Sequence, residues 1–375
     1  MPEAVIVSVA RSPIGRAGKG SLRDLRPDDL GAQIVRAALA KVPALGPNGI
    51  DDLMLGCGQP AGESGFNLAR VVAILAGLDR VPGTTGVETV SRYDRGSADG
   101  MPGTENPAFA DAVRRTGKFA AGGEAWTDPR TEDLLPDVYI AMGQTAENVA
   151  QLCDVSRAEQ DAFGVRSQNL AEAAIANGFW ERDITAITLP DGSVVSKDDG
   201  PRPGVTLEKV AELKPVFRPD GTVTAANCCP LNDGAAAVVI MSDAKAAELG
   251  LTPLARIVAT GVSALSPEIM GLGPVEASKQ ALARAGMTID DVDLVEINEA
   301  FAAQVIPSAR ELGVDFDKLN INGGSIAVGH PFGMTGARIT STLINSLQFH
   351  DKQIGLETMC VGGGQGMAMV LERLS

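Results

Sequence analysis

The sequence predicts an α/β protein built from two similar halves. Short apolar runs typical of buried strands alternate with segments in which apolar residues recur at helical spacing. In the first half, the strand VIVSVA at residues 5–10 precedes a helix near Leu30–Lys41, and the strand LMLG at 53–56 precedes a helix near Asn67–Gly77. This alternation is typical of α/β folds.

The last third of the chain repeats the pattern. The strand ARIVATG at 255–261 precedes a helix near Pro274–Ala285, and the strand DLVEI at 293–297 precedes a helix over Glu299–Leu312. Both halves end with a glycine turn that leads into an apolar strand, NDGAAAVVIMS at 232–242 and GGQGMAMVLER at 363–373. We therefore expect a first half over residues 1–249 and a second over 250–375, each with its own sheet.

Residues 93–219 read as a loop domain inserted into the first half, because they are polar and rich in Pro, Gly and Asp. One strong helix interrupts this segment. Ser156 followed by Glu159 has the spacing of a capping box, and Gly178 marks the helix end. We interpret this amphipathic helix as part of the scaffold.

Composition excludes several function classes. The 375 residues carry a net charge of −15, which opposes nonspecific binding to nucleic acid or anionic membranes. No apolar run is long enough to span a bilayer, and the first residues lack the pattern of a secretory signal, so we expect a cytoplasmic protein. Five cysteines without regular spacing and two histidines argue against disulfides and a metal site.

Three motifs in the second half place polar groups at predicted strand ends. They are INEAFAAQ at 297–304, NGGSIAVGHPFGMTGAR at 322–338 and CVGGGQG at 360–366. Ligands of open α/β sheets collect beyond the carboxyl ends of strands, where glycine turns and helix starts offer N–H donors. This layout suits acyl transfer. We expect His330 to be catalytic and His350 to lie on the surface. We also expect Pro331 to begin a helix that runs through Thr340.

Six motifs in order resemble the thiolase family: ARSPIG at 10–15, MGQTAENVA at 142–150, FRPDGTVTAANCCPLNDGAAA at 217–237, then NEAF, GHPFG and CVGGG. The resemblance covers nearly the whole chain. It implies a duplicated five-layer αβαβα fold with an inserted loop domain. It also implies acyl transfer between coenzyme A thioesters, either thiolysis of a 3-ketoacyl-CoA or condensation of acetyl-CoA.

The resemblance assigns roles to four residues. In the family a histidine activates a cysteine thiolate that takes the acyl group, and a second cysteine moves a proton to or from the other substrate's carbon or thiol. His330 and Cys360 match the histidine and the second cysteine. Asn298 matches the residue that holds a water at one oxyanion site, and the amide of Gly362 matches a donor of the other.

Coenzyme A, as substrate and product, is the ligand that the resemblance implies, and no permanently bound cofactor or metal is expected. Lys214 and Arg218, which flank Pro215, are the predicted phosphate contacts, although a solvated loop face explains them equally well. Met270 resembles a residue near the acyl and pantetheine pocket, or belongs to the core. Acyl-CoA and CoA are the expected partners, in a homodimer or homotetramer.

The segment that should carry the nucleophilic cysteine is absent. The family has a motif of the type N-R-x-C-x-S-G there, whereas this chain runs from VPGTT directly into GVETVSRYD at the Thr85–Gly86 junction. The repeat shows the same gap, since His330 and Cys360 enclose a helix and a strand for which the first half has no counterpart. Roughly thirty residues, about one helix and one strand, are therefore lacking.

Three interpretations remain open for a chain without this cysteine. The first is a thiolase-type acyltransferase, either whole in nature and truncated in the recorded sequence or active in a partial sense. A separate hypothesis is that Cys360 and His330 form a minimal Cys–His pair that slowly hydrolyses thioesters. The second is a noncatalytic protein that binds CoA esters or pairs with an intact partner subunit. The third is an error in the recorded sequence at the junction. The other thiols read as structural, namely Cys57, Cys153, Cys228 and Cys229. A Rossmann-type dehydrogenase is disfavoured because no GxGxxG follows the first strand.

Overall fold

The computed structural model describes residues 2–58, 62–64, 67–87, 106–122 and 126–375. The start of the predicted inserted domain, residues 93–105, lies outside this part. The strands are β1 Ala4–Arg11, β2 Gly15–Arg16, β3 Leu53–Cys57, β4 Gly83–Val87, β5 Ile187–Thr188, β6 Val194–Val195, β7 Asn232–Asp233, β8 Ala236–Ser242, β9 Ala255–Ala264, β10 Leu294–Ile297, β11 Ile354–Val361 and β12 Gln365–Arg373. The helices are α1 Pro27–Ala40, α2 Leu68–Leu75, α3 Ala110–Ala120, α4 Met142–Leu152, α5 Arg157–Ala176, α6 Phe179–Asp183, α7 Leu207–Ala211, α8 Asp243–Glu248, α9 Gly273–Ala285, α10 Ala302–Leu312, α11 Ser325–Val328 and α12 Thr335–Phe349.

Local sequence signals place several helix ends. The capping box predicted for α5 is confirmed: the Ser156 side chain accepts from the Glu159 N–H, and the Glu159 carboxylate accepts from the Ser156 N–H. Gly178 follows this helix with φ of +83°, a backbone conformation that glycine adopts without steric cost. Short-range chemistry is therefore enough to define this helix.

Two predicted helix starts in the second half are wrong by several residues. The helix expected from Glu299 begins at Ala302, because the chain stays extended through Phe301 and forms a β-bridge with Cys228. The helix expected from Pro331 begins at Thr335, after a 3₁₀ turn over Phe332–Met334. In both places a long-range contact or a tight turn delays the helix.

Strands of both halves join in one six-stranded sheet of order β10-β11-β12-β9-β1-β8. The prediction that each half has its own sheet is therefore wrong. The halves meet where β1 and β9 pair antiparallel, at Val5 with Arg256 and Ile6 with Ala255. The other first-half strands, β3 and β4, form a separate parallel two-stranded sheet.

Helices cover the two faces of the six-stranded sheet. On one face α9 contributes Ala277 and Ala281 to the largest apolar cluster, which also contains Val370. On the other face α12 packs Leu343 and Leu347 in a cluster that contains residues of β1, β9, β10 and β12. Each fully buried leucine stabilises the fold by roughly 1.5–3 kcal/mol relative to an exposed one. The helix α12 therefore holds strands of both halves together.

A buried ion pair network ties the inserted segment to β1. The Arg11 guanidinium lies 2.7 Å from a carboxylate oxygen of Asp183 and 2.7 Å from one of Asp198, and all three side chains are buried. Removing either carboxylate would leave a buried charge less well compensated, which is costly.

In the part of the chain that the structure describes, every helix is too short or too polar to span a lipid bilayer.

A buried carboxyl group lies between β11 and α12. Burial raises the pKa of Glu357 to about 8. The Thr340 Oγ1 atom lies 2.9 Å from both the Gly336 carbonyl oxygen and the Glu357 Oε1 atom. A hydroxyl has one hydrogen, so a protonated Glu357 can donate to Thr340 while Thr340 donates to the carbonyl. The contact geometry and the raised pKa thus agree on a neutral carboxylic acid.

We predict that Glu357→Gln makes the protein more stable than the parent at alkaline pH. The pKa of Glu357 is higher in the folded protein than in the unfolded chain. The contribution of Glu357 to the free energy of unfolding is therefore fully present below the unfolded-state pKa and is lost as the pH rises toward 8. Glutamine cannot ionise, so between pH 5 and pH 8 the parent should lose about 3 kcal/mol more than the variant. Urea unfolding at both pH values measures this difference.

The matched control is Glu212→Gln, since Glu212 is exposed. Equal pH dependence of the parent and the Glu357→Gln variant would contradict a neutral Glu357.

Candidate active site

Two parallel strands bring the first pair of predicted site residues to one sheet edge. Strands β10 and β11 are neighbours, with Ile297 opposite Thr358. The Asn298 N–H donates to the Thr358 carbonyl oxygen at 3.0 Å, and Cys360 lies two residues farther along β11. Asn298 and Cys360 are both buried. The predicted placement beyond the carboxyl ends of strands is therefore what the structure shows.

The orientation of the Asn298 amide is set by two buried donors. Its Oδ1 atom accepts from the Ser325 hydroxyl at 2.5 Å and from Arg338 Nη2 at 3.3 Å. Arg338 Nη2 also donates to Ser325 Oγ at 2.6 Å. The amide nitrogen consequently faces His330, at 3.4 Å from Nε2 and 3.5 Å from Nδ1. Asn298 therefore presents an N–H donor next to the imidazole.

The contacts of His330 assign its tautomer. Its Nδ1 lies 2.6 Å from Thr335 Oγ1, which in turn lies 2.7 Å from the Pro331 carbonyl oxygen. The carbonyl can only accept, so the threonine hydrogen points to it and His330 Nδ1–H must donate to the hydroxyl oxygen. The unprotonated Nε2 is then the ring atom available for base chemistry.

His330 is neutral in this environment. Burial, reinforced by the positive charge of Arg338, lowers the pKa of His330 to about 3. Desolvation disfavours the charged imidazolium, and a neighbouring cation does the same. A neutral ring can accept a proton from a thiol or a carbon acid that binds against it, as general base catalysis requires.

The first half of the chain holds the His330 loop. The His330 backbone N–H donates to Asn232 Oδ1 at 3.0 Å, and Asn232 Nδ2 donates to the Gly15 carbonyl oxygen at 3.0 Å. Gly329 has φ of +118°, and a Cβ there would come within 2.8 Å of Asn232. Glycine is therefore required next to His330, and both halves build the site.

Cys360 belongs to a buried apolar cluster with Met270 and Ala300, against which Cys229 packs. Burial and the neighbouring thiols Cys228 and Cys360 raise the pKa of Cys229 well above its ordinary value. The structure thus brings Met270 next to Cys360, as a residue of the acyl pocket would be. It places Cys229 there too, as a protonated thiol.

The turn that follows β11 carries Gly362. Gly363 and Gly364 have φ of +81° and +85°, which reverses the chain directly into β12. A Cβ on Gly364 would come within 2.4 Å of the Leu265 carbonyl oxygen. The glycines therefore allow a tight turn at the strand end, where the amide of Gly362 is predicted to act.

Three predicted positions lie elsewhere. Arg218 is buried, and its guanidinium donates to Gln144 Oε1 at 2.7 Å and to Asn148 Oδ1 at 2.6 Å, so it braces the interior. Lys214 is exposed on the loop after α7. His350, expected on the surface, is half-buried at the end of α12, with Nε2 3.2 Å from Asn322 Oδ1.

Sequence reasoning missed a basic cavity of about 310 Å³. Its lining includes Arg16, Arg202 and Lys209, none of which pairs with a carboxylate of the described residues. The Nε atom of Arg16 is buried without a hydrogen-bond partner in that part of the chain. Pro230 and Ile326, which also line the cavity, adjoin Cys229 and Ser325. The cavity lining thus includes direct sequence neighbours of Cys229 and Ser325.

The arrangement combines a neutral base, an amide donor and a thiol, and all three residues are buried. Such donors stabilise negative charge that develops on a carbonyl oxygen, and each is typically worth roughly 3 kcal/mol of barrier. A base and an oxyanion site together can remove a proton from the carbon next to a thioester carbonyl. The geometry thus fits chemistry on a thioester.

Comparison with known proteins agrees with this geometry. The family profile described as "Thiolase, N-terminal domain" matches residues 4–98 and 106–244, and "Thiolase, C-terminal domain" matches residues 251–373. A 3-ketoacyl-CoA thiolase of Bacillus subtilis is 42% identical over 394 aligned positions that cover 99% of this chain and all of the relative. A 3-ketoacyl-CoA thiolase of Shewanella frigidimarina is 41% identical over 390 positions that cover both chains completely.

A solved structure shares the fold. The Bacillus anthracis acetyl-CoA acetyltransferase superposes with a TM-score of 0.83 at 36% sequence identity, and the match covers 100% of this chain and 99% of that one. The alignments with both relatives are longer than the 375 residues of this chain, so they contain gaps on its side. The comparisons thus combine full-length similarity with missing positions in this chain.

We predict that His330 stays neutral, as the Nδ1–H tautomer, from pH 5 to pH 8. Its pKa of about 3 lies below this range, so the ring takes up a proton only at more acidic pH. Two-bond ¹⁵N–¹H spectra of histidine-labelled protein report tautomer and charge for the two rings separately.

The His350→Asn variant assigns the two sets of signals, because only one histidine then remains. A His330 titration midpoint near pH 6.5 would contradict the buried, neutral ring.

Proposed function

This chain belongs to the thiolase family, and from this premise we propose that it acts in acyl transfer between coenzyme A thioesters. The reaction would be thiolysis of a 3-ketoacyl-CoA or condensation of acetyl-CoA. The observation that supports the proposal most is the oriented Asn298 amide beside a neutral His330, at the sheet edge that also carries Cys360. The similarity to 3-ketoacyl-CoA thiolases extends over the full length of these relatives, and it supports the same reaction class.

We assign to the residues present the proton-transfer part of this reaction. His330 Nε2 takes the proton of the Cys360 thiol, and the resulting thiolate removes a proton from the substrate carbon next to the thioester carbonyl; the same steps in reverse return a proton to that carbon. The Asn298 N–H stabilises the oxyanion of the resulting enolate, with the Asn298 Oδ1 atom held by Ser325 and Arg338. The resemblance places the acyl-accepting cysteine in the segment that this chain lacks.

We propose the basic cavity as the site for the phosphates of coenzyme A. The ligand carries several negative charges, and a chain of net charge −15 needs local cations to bind it. Arg16, Arg202 and Lys209 supply three in one cavity. From there the pantetheine arm would pass Pro230 and Ile326 toward Cys360. We further expect a cytosolic homodimer or homotetramer, as is usual in this family.

We predict that Arg202→Glu weakens coenzyme A binding at least tenfold. The substitution removes a cation and adds an anion where the phosphates would lie, and a charge-assisted contact is worth about 1.5–3 kcal/mol. Isothermal titration calorimetry with coenzyme A measures the affinity, and the loss should shrink at high salt.

Two matched variants make the same change in net charge. Arg80→Glu changes an exposed arginine in the turn before β4 and should leave the affinity unchanged. Lys214→Glu tests the position predicted from sequence. A larger loss with Lys214→Glu than with Arg202→Glu would move the phosphate site to the loop after α7.

We predict that the protein exchanges the acetyl protons of acetyl-CoA with solvent in D₂O. Proton removal at the substrate carbon needs the base and the oxyanion site but no acyl-accepting cysteine. Cys360→Ala should lower the exchange rate by about 10²–10⁴, the usual contribution of a general base. Asn298→Ala should lower it by about 10²–10³. Loss of the methyl signal in ¹H NMR follows the reaction.

The control Cys153→Ala removes a thiol at the end of α4 and should leave the rate unchanged. Coenzyme A binding together with an exchange rate that Cys360→Ala does not change would overturn the proposal. That result would favour a noncatalytic protein that binds CoA esters.

A further inference from the structure

The pairing of β1 with β8 and of β9 with β12 gives the two halves a common residue numbering. In each pair the first strand has a bulge, at Val7 in β1 and at Val258 in β9. Aligning the bulges makes Ile240 of β8 equivalent to Leu371 of β12, because these residues lie opposite Ile6 and Ile257. The halves can therefore be compared residue by residue.

This comparison shows an open sheet edge in the first half. Strand β12 is paired on both sides, with β9 and with β11. Its equivalent β8 is paired with β1 on one side, and no strand among the described residues pairs with its other edge. Strand β3 is equivalent to β10, and β4 is equivalent to the segment at Leu319, which forms a parallel bridge with Val295 of β10. One strand, equivalent to β11, would join β3 to β8.

An apolar surface accompanies the open edge. Leu371 is fully buried in the cluster that Leu343 of α12 covers, whereas its equivalent Ile240 is 54% exposed. Val262 and Met367, which are cross-strand partners on the same face as Leu371, are 53% and 48% exposed. Val262 and Met367 are equivalent to Arg11 and Ala236, which lie on β1 and β8, and α12 contacts both of these strands. A helix equivalent to α12 would therefore cover all three side chains. The exposed side chains and the open edge therefore lie where equivalents of α12 and β11 would pack.

We propose that this surface binds a helix followed by a β-strand from a partner polypeptide. The strand would add to the open edge of β8, as β11 adds to β12, and its main-chain groups would hydrogen-bond along that edge. The helix would lay an apolar stripe over Ile240, Val262 and Met367. In the second half the corresponding elements have 15 and 8 residues, which indicates the size of the segment.

The chemistry of the surface favours a polypeptide over a small polar ligand. All three exposed side chains are aliphatic, so burial of apolar area would supply the binding free energy. An open sheet edge offers N–H and C=O groups at the strand repeat, which another strand matches. The inference does not rest on the proposed function, because it uses only sheet pairing and burial.

The bound helix would begin beside the His330 loop. Strand β4 runs parallel to β3, with Val87 opposite Cys57 at their ends. Next to Cys57, a Cβ on Gly56 would lie 2.7 Å from the Gly333 carbonyl oxygen, and one on Gly58 would lie 2.9 Å from Phe332 Cβ. A segment that entered next to β4 would thus place its first helical turn against the loop that carries His330.

The test uses a fluorescent synthetic peptide with the sequence that the Bacillus subtilis relative has between the positions matching Thr85 and Pro107. We expect saturable binding to the full chain in fluorescence anisotropy, and no binding of a scrambled peptide. Ile240→Asp should weaken binding at least tenfold, because it places a charge under the apolar helix face. Hydrogen exchange should show new protection of the β8 amides when the peptide binds.

The matched control is Val194→Asp, which changes a 63% exposed aliphatic residue on β6 and should leave binding unchanged. Equal binding of parent and Ile240→Asp, or of the peptide and its scrambled form, overturns the proposal. Absence of binding to the parent overturns it as well. A dimer in sedimentation velocity that Ile240→Asp dissociates, without peptide binding, would assign the surface to a second copy of this chain instead.

Discussion

The chemistry of the site depends on one buried cation. The Arg338 guanidinium is fully buried and donates to Ser325 and to Asn298. It thereby fixes which end of the Asn298 amide faces His330, since an amide turned the other way would present an oxygen to the imidazole. The same charge helps to keep His330 neutral. Burying a cation is costly, and burial accordingly lowers the pKa of Arg338. The nearby carboxyl groups of Glu296 and Glu299 oppose this shift. The buried charge of Arg338 thus orients the Asn298 amide and helps to keep the pKa of His330 low.

The two halves are coupled through α12. The helix follows the His330 loop directly, and it packs on a cluster that includes Ile6 and Val9 of β1. The first half also supplies Asn232, which accepts from the His330 backbone. The first half therefore contributes packing and a hydrogen bond to residues that belong to the second.

Much of the fold could be predicted from sequence where the signals are local. The capping box of α5 and the strand runs of both halves were sufficient for their elements. The joint six-stranded sheet was not predictable, since pairing of β1 with β9 links residues about 250 positions apart through only two residue pairs. The site divides in the same way. Asn298, His330 and Cys360 lie in short motifs, whereas the basic cavity assembles Arg16, Arg202 and Lys209 from distant loops. Arg218 has the same charge, but the burial that removes it from the surface arises from α4 packing.

The site residues that this chain contains belong to the half of the fold whose sheet is covered by a helix on each face. The second half retains its strands in order from β10 to β9, covered by α9 on one face and α12 on the other. Asn298, His330 and Cys360 all lie on this half, at strand ends or next to the start of α12. Groups that orient one another within a packed half keep their geometry when a segment elsewhere is missing, because their hydrogen bonds do not pass through that segment. Acyl transfer also needs a group that receives the acyl chain, and the resemblance places that group on the other half. By the resemblance, proton transfer and acyl transfer therefore depend on different halves of the fold.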